Sequence, residues 1–246
     1  MTLTPAVSAK PASAAMPPSM ASASASALNQ RSAQDAITSK KDRLARLKTR
    51  IAKPGEASFF FYEAHFQSDA VKILPGEYFV FDEDLLIMTT LGSCIAVCLW
   101  DRQAHVGGMN HFMLPDNGGS GADSGRYGGF AMELLINELL KMGANRMTLE
   151  AKVFGGGAVL QGMNSINVGE RNTQFVMDYL KTERIPIVSK DVLDIYPRKV
   201  CFFPHSGKAM VKRLAPTNPE TIVAQERAAL QKPAVANTSS GSIELF

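Results

Sequence analysis

The chain has 246 residues, 46% of them hydrophobic, 20% charged and 8% aromatic, an ordinary composition for a globular protein. Its net charge of +3 makes no case for a nucleic-acid-binding body, and no apolar run approaches the roughly 18 residues of a membrane span. Three cysteines, an odd number, argue against a disulfide scaffold and for a reducing, cytoplasmic setting.

Residues 1–36 are rich in Ala, Ser and Pro, with no acid before Asp35 and no aromatic residue. Such a stretch buries too little apolar surface to offset its ordering entropy and is predicted to be disordered. It lacks the apolar core of a secretory signal, and a transit peptide would carry more arginine than Arg31 alone. Residues 37–53 set Ile37, Leu44, Leu47 and Ile51 at helical spacings among basic residues. This predicts a short basic helix, read as a solvated linker of the kind that meets acidic surfaces. Pro54-Gly55 ends it. Residues 1–57 are thus expected to be an arm, 58–214 the folded domain, and 215–246 a flexible tail closing on the apolar tip Ile243 to Phe246.

Within the domain, Leu74-Pro75-Gly76-Glu77 is a turn leading into a strand at Tyr78. Ile95–Trp100 and Val106–Leu114 are apolar runs of strand length, with Asp101-Arg102-Gln103-Ala104 between them as a hairpin loop. Residues 115–129 hold six glycines and read as a loop. Met132, Leu135, Ile136, Leu139 and Leu140 form a helical stripe with Gly143 beyond its end. Met147, Leu149, Ala151 and Val153 alternate as in a half-buried strand. A second helix carries Phe175, Val176, Tyr179 and Leu180 inward, and three strands follow near 185–188, 200–203 and 209–214.

Cys98 and Cys201 lie inside apolar strands and read as small buried hydrophobes. Cys94 stands at the Gly92-Ser93 turn, where a thiol can reach a cleft. If 101–104 is the loop, Trp100 pairs with His105 and Cys94 stands opposite His111. Opposed residues have Cβ atoms about 4.5–5.5 Å apart, which suits a thiolate–imidazolium pair. Zinc does not fit, since an extended strand separates Cys94 from Cys98 by about 13 Å. Gly155-Gly156-Gly157 lacks the glycine that a dinucleotide fingerprint needs at Leu160, and no phosphate loop is present. These glycines read as a backbone turn near a cleft, and no metal or cofactor is expected.

Leu91-Gly92-Ser93-Cys94-Ile95-Ala96-Val97-Cys98-Leu99 followed by Gly107-Gly108-Met109-Asn110-His111-Phe112-Met113-Leu114-Pro115 closely resembles the chemoreceptor glutamine deamidase family, CheD. Arg126-Tyr127, Ala151-Lys152-Val153-Phe154-Gly155-Gly156, Val168-Gly169-Glu170-Arg171-Asn172 and Ile185-Pro186-Ile187-Val188 follow in the family's order, so the resemblance covers roughly residues 70–214. It implies an α/β class fold, a layered α/β sandwich like that of bacterial toxin deamidases. It implies hydrolysis of particular glutamine side chains in methyl-accepting chemotaxis receptors, through a cysteine thioester. Cys94 matches the nucleophile and His111 the histidine, while Thr89 and Thr90 both qualify as a third site residue. Backbone near Ser93 and Gly92 would hold the oxyanion, and the motif residues Asn110, Gly155, Gly156 and Arg171 are expected at the substrate cleft. Implied partners are receptor cytoplasmic helices and a CheC-type response-regulator phosphatase, with no nucleic acid and no membrane insertion. The alternative function is a non-catalytic adaptor for those partners. Pro197 stands where relatives usually have glycine.

Overall fold

The apolar run Ile95–Leu99 is buried on both faces, and the architecture follows from what covers each. The computed structural model describes residues 43–114, 121–159, 165–215 and 224, the backbone alone at 121–126 and 165–167. The chain divides into the units Met1–Arg43 and Leu44–Phe246, and every element named here belongs to the second apart from Arg43. In chain order these are α1 (residues 43–49, the second unit starting at its Leu44), β1 (Phe59–Glu63), β2 (Ser68–Lys72), β3 (Tyr78–Phe81), β4 (Leu86–Leu91), β5 (Ile95–Asp101) and β6 (Val106–Phe112). They continue with α2 (Gly121–Lys141), a 3-10 turn at Arg146–Thr148, β7 (Leu149–Gly155), α3 (Ser165–Thr182), β8 (Ile187–Val192), β9 (Arg198–Phe203) and β10 (Lys208–Arg213).

The strands form two five-stranded sheets, ordered β1-β2-β4-β9-β10 and β3-β6-β5-β7-β8. Pairing is antiparallel except at β2–β4 and β7–β8. Side chains alternate across a strand, so Ala96 and Cys98 of β5 pack with Ile87, Val200 and Phe202 of the facing sheet. Ile95, Val97 and Leu99 pack instead with Met132, Leu135, Ile136 and Leu139 of α2 and with Val176 and Leu180 of α3. The result is a layered α/β structure of sheet, sheet and helices, as expected. Among the described residues no helix is long and apolar enough to cross a membrane.

The helical stripe forms as read, and α2 closes with Gly143 N–H donating to Leu140 O and Ala144 N–H to Leu139 O, the paired bonds of a Schellman stop. Its start differs from expectation, because residues 121–129 are helical rather than loop. One reason is packing: a Cβ on Gly128 would lie 2.4 Å from the Phe175 ring, so glycine lets α2 approach α3. Residues 115–120 lie outside the described residues, as do the arm before 43 and the tail from 225. Met147, read as a strand residue, sits in the 3-10 turn and is exposed.

The hairpin register also differs. Asp101 belongs to β5 and pairs with Val106, so the loop is 102–105 and Ala96, not Cys94, stands opposite His111. The Asp101 carboxylate is buried and accepts from Gln103 N, Ala104 N, Asn145 N and Thr148 Oγ1 at 2.7–3.2 Å. Burial alone would raise its pKa, and these four donors outweigh that and hold it below the usual carboxylate range. An acidic residue that reads as loop is therefore the last residue of a buried strand.

The linker is likewise docked rather than solvated. Leu47 is buried among Phe60, Ile73 and Phe79, with Leu44 packed beside it. Arg50 pairs with Glu56 and lies over the Phe79 ring, while Lys53 pairs with Glu138 of α2. Leu44 and Leu47 thus fall within the compact unit Leu44–Phe246. Leu47→Ala is expected to lower the unfolding free energy by about 2–4 kcal/mol. Urea denaturation checks this, since a solvated helix would lose under about 0.5 kcal/mol.

Candidate active site

Cys94 lies one residue before β5 and is buried in the apolar layer between the two sheets. Extending the β5–β6 register puts it opposite Met113, two residues along from His111. A two-residue slip preserves the face, so Cys94 and His111 still share one side of the sheet. They are diagonal neighbours, a relation that spans about 7–8 Å and remains within reach of long side chains.

β4 supplies the third group from the facing sheet. Its alternation turns Ile87, Thr89 and Leu91 toward the inter-sheet layer and Met88 to the outer face. Thr89 is thus the threonine that meets His111, while Thr90 takes the outer face. The Thr89 hydroxyl donates to the Ile73 carbonyl at 2.9 Å and its oxygen lies 2.8 Å from His111 Nδ1. A hydroxyl has one proton. With that proton on Ile73 O, the Thr89 oxygen accepts from Nδ1–H, which assigns the tautomer and leaves Nε2 as the basic nitrogen. Nε2 is buried and has no hydrogen-bond partner among the described residues.

Burial pushes the His111 pKa from 6.5 down to about 3, against the opposing pull of the Ile73 carbonyl. The ring is therefore neutral, a base in waiting, and not the imidazolium half of the ion pair expected from sequence. Burial pushes Cys98 and Cys201 the other way, raising both thiols, which suits packing. The three cysteines form no disulfide.

The backbone around Cys94 is clamped from three sides. Cys94 O accepts from Gly156 N and Gly92 O from Gly157 N, both at 2.8 Å. Gly155 has φ +112°, and a Cβ there would lie 2.1 Å from Cys94 O, so only glycine permits this approach. Asn172 of α3, fully buried, donates from Nδ2 to Ser93 O at 2.9 Å and accepts from Leu114 N at 3.0 Å. The 74–77 turn holds His111 by its backbone, with Gly76 N donating to His111 O and His111 N to Glu77 O. Ser93 Oγ donates to Met113 Sδ at 3.7 Å.

Of the remaining candidates, Gly155 and Gly156 line the Cys94 backbone. Asn110 does not share the site face: Oδ1 accepts from Val97 N and Nδ2 donates to Ala131 O of α2. Neighbouring strand residues point to opposite faces, so His111 and Asn110 part here. Arg171 is half-buried, and it is its neighbour Asn172 that reaches the Ser93 turn. The Tyr127 phenol is raised by burial and then by the charge of Cys94. Asn172 and Tyr127 were visible in sequence only as members of family motifs.

The family described as CheD chemotactic sensory transduction matches residues 113–213. Over 204 residues, 83% of this chain and 87% of the relative, the sequence is 63% identical to "Probable chemoreceptor glutamine deamidase CheD 1" of Albidiferax ferrireducens. The chain belongs to the CheD family. Two further CheD relatives carry the name "Probable chemoreceptor glutamine deamidase CheD". The one from Janthinobacterium sp. is 52% identical over 80% of this chain and 98% of its own length. The one from Herminiimonas arsenicoxydans is 54% identical over 77% and 95%.

The neutral histidine of this CheD chain has a measurable consequence. Because the folded value of about 3 lies below 6.5, the unfolded chain takes up a proton between these values that the folded chain does not. The associated stability is fully present above pH 6.5 and is lost as pH falls toward 3, at up to about 1.4 kcal/mol per pH unit. His111→Asn is expected to lose less stability than the wild type between about pH 7 and about pH 4.5, a window above most carboxylates. Urea titrations at the two pH values check it.

Proposed function

We propose that the chain is a cytoplasmic protein-glutamine deamidase acting on the cytoplasmic helices of chemotaxis receptors. The observation that carries this reading is the Thr89–His111 hydrogen bond, which leaves a bare Nε2 on the face of the sheet shared with the Cys94 thiol. The family relatives are named for this activity.

In the proposed cycle Cys94 Sγ attacks the glutamine carboxamide carbon while Nε2 of His111 takes the thiol proton. The tetrahedral oxyanion is held by backbone N–H groups at the Ser93–Cys94 turn. Collapse breaks the C–N bond, and His111 delivers its proton to the departing ammonia. A thioester remains. His111 then takes a proton from water, hydroxide adds to the thioester, and the products are glutamate and the regenerated thiol. Thr89 keeps the ring turned throughout, and the neutral resting state suits a group that must accept a proton first. No metal or cofactor takes part.

Receptor helix peptides incubated with the wild type are expected to gain one mass unit at particular glutamines, and none with Cys94→Ala. A gain that persists with Cys94→Ala removes the nucleophile assignment. The adaptor alternative, binding receptors or a CheC-type phosphatase without chemistry, has in its favour that Cys94 is fully buried. The same variant separates the two, since an adaptor restores chemotaxis when Cys94 is alanine. Thr89→Val is expected to reduce kcat by up to about a hundredfold through misorientation of the ring, while Thr90→Val leaves it unchanged. Steady-state kinetics on the receptor peptide distinguishes the two threonines.

A further inference from the structure

Asn172 is a costly residue where it stands. Asparagine is a poor helix former, and α3 buries it completely. Such a group is tolerated only when its hydrogen bonds are made. Both of its bonds go to the catalytic layer rather than to its own helix. Nδ2 donates to the carbonyl of Ser93, immediately before Cys94, and Oδ1 accepts from the N–H of Leu114, three residues past His111. One side chain therefore ties the nucleophile's turn to the strand that carries the base.

The first bond sets a direction. No peptide in the described structure is cis, and in a planar trans peptide the C=O and the following N–H point opposite ways. With Ser93 C=O drawn toward α3, the N–H of Cys94 is aimed away from α3. On the next peptide, Cys94 O is held by Gly156 N. The Ser93–Cys94 peptide is thus fixed at its carbonyl end by Asn172 and followed by a second fixed peptide, and it cannot flip while those bonds stand. The register of α3 that delivers Asn172 is also fixed. Gly169 lies against Gly156, where a Cβ would come within 2.4 Å of Gly156 O, and Thr173 Oγ1 donates to Gly169 O.

We propose that Asn172 is a positioning residue for the reaction. It orients the Ser93–Cys94 peptide so that the Cys94 N–H donates to the oxyanion that forms when Cys94 attacks a carbonyl. The proposal rests on Cys94 being the nucleophile of the deamidase reading. It does not require the receptor to be the substrate.

The test compares two reactions at the same sulfur. p-Nitrophenyl acetate acylates Cys94: a bond forms from Sγ to the carbonyl carbon, an oxyanion develops, and p-nitrophenolate leaves. Iodoacetamide alkylates it: a bond forms from Sγ to the methylene carbon, iodide leaves, and no oxyanion appears. Both reagents need the same access and the same thiol, so the ratio of their rates isolates the oxyanion donor. Asn172→Asp is isosteric, keeps an acceptor for Leu114 N and loses the donor to Ser93 O. Asn172→Ala loses both. In full-length protein, with Cys94→Ala as background, both variants are expected to lower the acylation rate by up to about 10²-fold while alkylation changes little. On a receptor peptide kcat falls and KM does not. Equal losses in acylation and alkylation would show a merely structural role, and unchanged acylation would show none; either overturns the proposal. Failure of the deamidase reading looks different: the wild type leaves the receptor peptide unchanged while the two reagent rates still report on Asn172.

Discussion

The structure depends on one constraint, the burial of β5 on both faces. A strand covered by helices on one side and by a second sheet on the other must be apolar at every position, and Ile95–Leu99 meets that demand. The same covering decides where chemistry sits. Residues of one parity face the helices, and those of the other face the second sheet. Cys94 and His111 fall in the second class, together with Thr89 from across the layer. The candidate site is thus part of the apolar interlayer, sharing it with Phe79, Met109 and Phe202. Its chemistry is that of a dry interior, where an imidazole stays neutral and hydrogen bonds count for more than in water.

The backbone answers the same constraint. A residue at the start of a buried strand has peptide groups that cannot be left to water. Gly156, Gly157 and Asn172 supply those partners, and each demands close approach of another element. That is why glycine recurs wherever the 155–157 segment and α3 meet the turn. The loop beyond β8 joins the same assembly, with Leu193 N donating to Gly155 O and Ala158 N to Asp194 O. Arg198, fully buried, secures that loop through Asp191 and the carbonyls of Tyr196 and Leu193.

Much of this was legible in the sequence, for definite reasons. The strands around Cys94 and His111 and the stripe of α2 are written in hydrophobic periodicity, which is local. Cys94 and His111 keep a common face of the sheet despite the wrong register because the error was two residues, and a strand repeats every two. What stayed hidden depends on partners far along the chain. Asp101 looks like a turn residue because the donors that bury it, Asn145 and Thr148, are more than forty positions away. The docking of Leu47 needs Phe60, Ile73 and Phe79 already assembled. The choice between Thr89 and Thr90 is one of parity in β4, which the sequence alone leaves open. Asn110 and His111 are adjacent in the chain and belong to different layers.

The depth of Cys94 has a consequence for the life of the protein in a cell. Oxidants attack thiols in proportion to their thiolate character and their exposure. A sulfur that shows no surface to solvent lacks the second of these. The Cys94 thiol is shielded from peroxide by the same packing that keeps the His111 ring uncharged.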